Sequence, residues 1–105
     1  MNVLFDGCVP RPLRRFLPGH TVKTAPELGW GALKNGDLLR VAEEQFDLLL
    51  TADQNLRYQQ NLKGRRIAIL VLPTNDWTVL RKHTEHIAIA VDGMTPGSFR
   101  ELDLT

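Results

Sequence analysis

A chain of 105 residues, 43% hydrophobic and 24% charged, has room for one globular domain over 1–105, and its composition excludes a disordered, collagenous or disulfide-dense protein. A net charge of +1 excludes a strong polyanion binder as a whole, and the single cysteine, Cys8, excludes an internal disulfide and a cysteine-rich zinc site. No apolar run approaches the roughly 20 residues that cross a bilayer, and the opening MNVLFDG lacks a basic segment followed by a long apolar one, so a cytoplasmic protein with no membrane partner is expected.

Asn2 to Phe5 is an apolar run that ends at Asp6 and Gly7, the pattern of a central strand. Pro10 and Pro12 open a short basic helix, RPLRRFL, since proline is tolerated in a first turn, and Pro18 ends it. His20 to Thr24 is the expected second strand, after the Pro18-Gly19 turn. Ala25 to Lys34 contains Pro26, Gly29 and Gly31 without a clean period and reads as a loop with room for one helical turn. Asn35 is placed to cap the next helix, whose Leu38, Leu39, Val41, Ala42 and Phe46 fall on one face.

Leu48 to Thr51 follows as a strand, and Asp53 is placed to cap a polar helix reaching about Asn61. Arg66 to Leu72, RIAILVL, is nearly continuous in apolar residues, as strands buried on both faces of a parallel sheet are. Asn75 is the expected cap, and Asp76 a first-turn acid, of one long last helix carrying Trp77, Leu80, Ile87, Ala88 and Val91 at helical intervals. Thr95-Pro96-Gly97 makes a turn, and Ser98 to Leu104 is at most a weak edge strand. The alternation of strands and helices predicts an α/β fold, a three-layer α/β/α sandwich around a mainly parallel central sheet.

Ligand sites of open parallel sheets form beyond the carboxyl ends of the strands, near the point where strand order reverses. Asp6 ends the first strand and Asp53 follows the third. If those strands are neighbours, both carboxylates enter one crevice, and Asp37, in the first turn of the helix before the third strand, approaches the same edge. Three converging carboxylates repel one another unless a cation intervenes. Mg²⁺ or Mn²⁺ held by a few carboxylates, waters and substrate phosphates answers that repulsion, and hydrolysis at phosphorus is the chemistry such a set serves.

Each acid also has a structural reading. Asp53 is a natural helix cap and Asp37 a natural first-turn acid, whereas Asp6 caps no helix, so function is favoured for Asp6. His83 and His86 share a helix face without a carboxylate or thiol to complete a zinc set and read as surface residues; Cys8 reads as a small buried residue. Two basic clusters, Arg11, Arg14 and Arg15, then Arg57, Lys63, Arg65 and Arg66, are open to two readings, solvated surface or a patch facing nucleic acid.

Asp6 with Val9-Pro10, Gly19-His20-Thr21-Val22, Glu27-Leu28-Gly29-Trp30, Gly36-Asp37-Leu38-Leu39 and Leu49-Leu50-Thr51-Ala52-Asp53 together resemble the small bacterial PIN-like family, stand-alone relatives of PIN-domain nucleases and VapC-like toxins. The resemblance runs from the first strand to about Pro73. It implies a PIN-like sandwich whose acids bind Mg²⁺ or Mn²⁺ for RNA hydrolysis, often as the toxin of a toxin–antitoxin pair encoded beside a small antitoxin, with a homodimer as a further expectation. Carried over, Asp6 is the first metal ligand, Asp37 the helix acid and Asp53 the acid after the central strand. Relatives commonly read Asp-Glu-Asn where this chain has Asp6-Gly7-Cys8, and place an acid where it has Asn55. Asn55 can still offer a neutral carbonyl oxygen, but the thinner set should hold a cation more weakly.

The leading expectation is therefore a metal-dependent endoribonuclease using Asp6, Asp37 and Asp53, with Arg11, Arg14, Arg15 and Arg57 contacting RNA phosphates. A competing one is a PIN-like module without catalysis that binds a partner protein, either through Trp30 or with that ring plugging its own core. A receiver-like phosphoacceptor would want a lysine after a late strand, where Pro73-Thr74 stands instead.

Overall fold

The segments LLLT and AILV bury every side chain, and they form the middle of the fold as β3 (Leu48–Thr51) and β4 (Ala68–Val71). The structure is a computed structural model and describes residues 1–33, 35–56 and 64–104. β1 (Asn2–Phe5) pairs in parallel with both β2 (Thr21–Thr24) and β3, β3 pairs with β4, and β4 pairs with β5 (Phe99–Glu101). The result is a five-stranded parallel sheet in the order β2-β1-β3-β4-β5. Phe5 lies opposite Thr24 and Leu50, and Thr51 opposite Val71.

Because side chains alternate along a strand, the apolar runs feed two cores. Val3, Phe5, Leu48, Leu50 and Leu70 face one way and pack with Leu13 and Leu17 and with Leu80, Ile87, Ala90 and Val91. Leu4, Leu49, Ile69 and Val71 face the other and pack with Leu38, Leu39, Ala42 and Phe46. The first cover comes from a basic 3-10 helix (Arg11–Phe16) and two later helices, the second from α1 (Asn35–Ala42). The fold is thus an α/β/α sandwich. Among the described residues no helix is long and apolar enough to cross a membrane.

Several local details differ from expectation. The basic segment is a 3-10 helix, with Leu13 N donating to Pro10 O at 3.2 Å and Leu17 N to Arg14 O at 3.3 Å. The expected long last helix is two, α2 (Trp77–Leu80) and α3 (Thr84–Asp92). Lys82 N reaches Val79 O and His83 N reaches Leu80 O, at 3.2 and 2.9 Å, and these three-residue bonds tighten and end α2 before Thr84 begins α3. Asp76, not Asn75, is the cap, its Oδ1 accepting from Thr78 N at 2.9 Å. α1 begins at Asn35, whose side chain lies outside the described residues, as does the polar segment 57–61 expected after Asp53.

After β2 a short 3-10 turn (Pro26–Leu28) is held by reciprocal bonds. Glu27 Oε1 accepts from Thr24 N at 2.6 Å, and Thr24 Oγ1 accepts from Glu27 N at 3.3 Å. Trp30, half-buried, meets the Phe46 ring edge-on at 6.1 Å and packs on the core, which is the plug rather than the exposed anchor.

Candidate functional site at the strand reversal

Thr51 is the one polar residue of β3 and is 0% exposed. A hydroxyl so placed must find partners nearby, since burying it unpaired would cost on the order of 1–3 kcal/mol. It donates to Asp6 Oδ2 at 2.8 Å and accepts from Asp53 N at 3.1 Å. Both partners arrive because β1 and β3 are neighbours and end level with one another. β2 lies on one side of β1, and β3 with everything after it on the other, so the chain reverses direction across the sheet between β1 and β3. The carboxyl ends of those two strands therefore flank the crevice where such sheets bind ligands.

Asp6 is half-buried and well anchored. Its backbone N donates to Leu50 O at 2.9 Å, its carbonyl accepts from Val9 N at 2.9 Å, and its Oδ1 accepts from Gly7 N at 2.8 Å. Each carboxylate oxygen of Asp6 thus accepts one bond from the protein, and each retains a second lone pair. Asp53 Oδ1 accepts from Asn55 N at 2.9 Å, which closes a turn over residues 53–55. Gln54 Nε2 donates to Ala52 O at 3.2 Å and also to Leu72 O, tying the turn to the end of β4.

Cys8 is exposed, a correction to the expectation of a buried cysteine. It sits on the turn that Asp6 and Val9 close, with its sulfur 3.9 Å from Thr51 Oγ1. Burial of the sulfur on that side, and the neighbouring Asp6 charge, push the thiol pKa up and keep it in the protonated form near neutrality.

Asp37 is exposed on the first turn of α1, where its Oδ1 pairs with Arg40 Nη2 at 3.2 Å. Among the described residues no three His, Cys, Asp or Glu side chains are grouped so as to hold a metal ion. The oxygen-bearing side chains that follow the ends of β1 and β3 include Asp6, Asp53 and Asn55. Such a set suits Mg²⁺ or Mn²⁺ bound through one or two carboxylates, with the rest of the octahedron left to water and substrate phosphates.

On the basic 3-10 helix, Arg11 and Arg15 are exposed, while Arg14 pairs with Glu27 at 3.4 Å. The Thr24 N–H bond, reinforced by Arg14, holds the Glu27 carboxyl below its usual pKa range. Arg57 lies outside the described residues, and Arg65 pairs with Glu43 at 3.6 Å near the other end of the sheet. That other end also holds a cavity of about 580 Å³, lined by Met1, Glu43, Glu44, Phe46, Asp47 and Arg66 among others. Thr51 and Gln54 are the site residues that sequence reasoning passed over. A lone threonine closing an otherwise apolar buried strand two residues before an aspartate was the available signal. Comparison of the chain with family models, with characterised proteins and with solved structures found no match.

Proposed function

We propose that the protein is a metal-dependent ribonuclease of the PIN-like kind, hydrolysing RNA phosphodiesters at the Asp6–Asp53 crevice, and that it serves in the cytoplasm as the toxin of a toxin–antitoxin pair. The observation that carries the catalytic reading is the buried Thr51 hydroxyl joining the ends of β1 and β3 at the strand reversal, with one acid on each. Asp6 and Asp53 would hold Mg²⁺ or Mn²⁺, Asn55 adding a neutral oxygen. When bound, such a cation eases deprotonation of water and offsets charge on phosphate oxygens.

The chain's own residues do the positioning. Thr51 and the Gly7 N–H fix the plane of the Asp6 carboxylate, and the Asn55 N–H fixes that of Asp53. Arg11 and Arg15, exposed on the element that leaves the crevice, attract the RNA backbone. Asp37 would join the acids only by giving up its surface pair with Arg40. With two carboxylates in place of a fuller set, cation affinity is low and rises when substrate phosphates contribute. That thin donor set also favours one second reading, a PIN-like module that no longer cleaves and acts by binding a small partner protein.

Cleavage of mixed single-stranded RNAs with Mn²⁺ decides between them. Asp6→Asn and Asp53→Asn should each lower the rate by on the order of 100-fold or more; Asp53→Asn should leave the melting temperature near that of the wild type, and Asp6→Asn, whose amide replaces one of two accepting oxygens, should lower it. Unchanged cleavage in either variant removes that residue from the site. Folded wild type that neither binds Mn²⁺ in isothermal titration nor cuts RNA would point to the partner-binding module.

A further inference from the structure

The edge strand β2 reads TVKT, and its alternation buries Val22 and Thr24 and leaves Lys23 exposed. Lys23 lies opposite Leu4 and Thr24 opposite Phe5, and the chain then runs level with Asp6, because Ala25 N donates to Phe5 O at 2.8 Å. The short 3-10 turn that follows stands against the turn of the acid itself, since a Cβ at Gly7 would sit 3.8 Å from Pro26 Cγ. Lys23 is therefore one strand spacing, roughly 4.8 Å, to the side of the strand that ends in Asp6. Glu27, on the same turn, draws the neighbouring cations together. Arg14 Nη1 stands 3.4 Å from its Oε1, and after the Thr24 N–H bond it is the charges of Arg14, Lys23 and Arg11 that hold the Glu27 carboxyl below its usual range. Cations from two elements thus outnumber the one acid among them, beside the Asp6 turn. The segments that leave β4 and β5 have the opposite character: Pro73 to Asp76 and Leu102 to Leu104 include Asp76 and Asp103 and no lysine or arginine.

We infer that RNA leaves the crevice over β2, its phosphates held by Lys23, Arg14 and Arg11, with Glu27 as the positioning residue that ties Arg14 down and limits the affinity of the path. This rests on the ribonuclease reading for the identity of the polyanion. Cations clustered beside a strand end gain affinity for a phosphate chain by releasing its counterions, and the acids that follow β4 and β5 repel the same chain from the far side. Glu27 acts against binding in two ways. Its charge cancels one of the cations, and its pair with Arg14 occupies a guanidinium that would otherwise reach phosphate. Such a surface pair is worth little to the fold, so a substrate phosphate competes for Arg14 readily.

The test is fluorescence anisotropy with a short labelled single-stranded RNA of mixed sequence, titrated at several salt concentrations in excess EDTA so that nothing is cut. Lys23→Gln, at an exposed edge position, should weaken binding and reduce the slope of log affinity against log salt by about 0.7, the share of one single-strand phosphate. Glu27→Gln should tighten binding, because the acid is gone and Arg14 is released. Arg100→Gln removes the same charge from an exposed position on β5, at the opposite edge of the sheet, and should change neither affinity nor slope. Lys23→Gln with wild-type affinity and slope, Glu27→Gln that does not tighten binding, or Arg100→Gln that weakens it as much as Lys23→Gln overturns the path; cleavage still lost in Asp6→Asn then leaves the ribonuclease reading standing. A polyglutamate peptide that binds more tightly than RNA of equal charge, and loses that affinity in Lys23→Gln, assigns the patch to an acidic protein and also overturns it. Wild type that neither binds nor cuts RNA defeats both readings.

Discussion

Acids gather at both ends of the sheet, and the two ends use them differently. At the amino ends, Asp47 Oδ2 accepts from Asn2 N at 2.8 Å, while Glu43 Oε1 accepts from Arg66 N at 2.7 Å and its other oxygen pairs with Arg65. Those carboxylates finish backbone that would otherwise lack partners, so they belong to the architecture. At the carboxyl ends, Asp6 is met by a buried side-chain hydroxyl and one N–H. A cavity of about 580 Å³ lies at the amino end, where Glu43 and Asp47 bond the chain and Glu44 is exposed. What separates the two ends is the partner: backbone N–H groups and Arg65 at the amino end, a buried hydroxyl shared between two strand ends at the carboxyl end.

The largest effect expected of a single change that sharpens this contrast is Thr51→Val. It leaves Asp6 Oδ2 and Asp53 N without their shared partner, so stability measured by urea denaturation should fall by roughly 2–3 kcal/mol and cleavage with it, both recovering in Thr51→Ser. Equal stability in the valine variant would break the idea that the hydroxyl organises this edge. At the other end, Gly97 has φ +74, and a Cβ there would stand 2.9 Å from Arg65 O. Gly97→Ala should cost about 1–2 kcal/mol in urea melts, with no change in the RNA-cleavage rate per folded molecule.

Asp47→Ala is a smaller version of the same test. Losing the acceptor for Asn2 N should cost about 1 kcal/mol by thermal denaturation, again without altering cleavage; a large loss of activity would mean that the amino end also serves the reaction. The smallest effect concerns Glu27, a carboxyl-end acid with an architectural job. Its folded pKa is lowered, so its stabilisation is present above the ordinary carboxylate value of about 4.5 and disappears as the pH falls through the lower folded value. Wild type should therefore lead Glu27→Gln in urea midpoint at neutral pH, and the two should converge as the solution is acidified. A gap that stays constant with pH would show that charge at Glu27 contributes nothing.

The strands were legible because their burial is written as composition: NVLF and LLLT occupy the spans read from the sequence, and RIAILVL contains β4 with Ile67 and Leu72 buried at its ends. The meeting of Asp6 and Asp53 was legible only as a condition, because local sequence does not specify which strands are neighbours; the order β2-β1-β3 supplies that. Thr51 was hidden by its own type, since a β-branched residue ending a strand needs no further reason. The break between α2 and α3 carries neither glycine nor proline, and Leu80 and Ile87 sit seven residues apart, a spacing that an unbroken helix would also satisfy. Thr24 and Glu27 did carry a signal, a threonine three residues before a glutamate, and the prolines and glycines around it drew the reading toward loop.

The strand order also bears on how such a sheet is assembled from a chain that emerges from one end. β2 joins one side of β1, and β3, β4 and β5 then join the other side in turn, so each new strand meets an edge already laid down and none must be inserted between two paired neighbours. Asp6 precedes its partner in the chain and gains the Thr51 hydroxyl only once β3 has docked beside β1. Asp6 and the hydroxyl that orients it are thus 45 residues apart in the chain, and the pair exists only when β1 and β3 lie side by side.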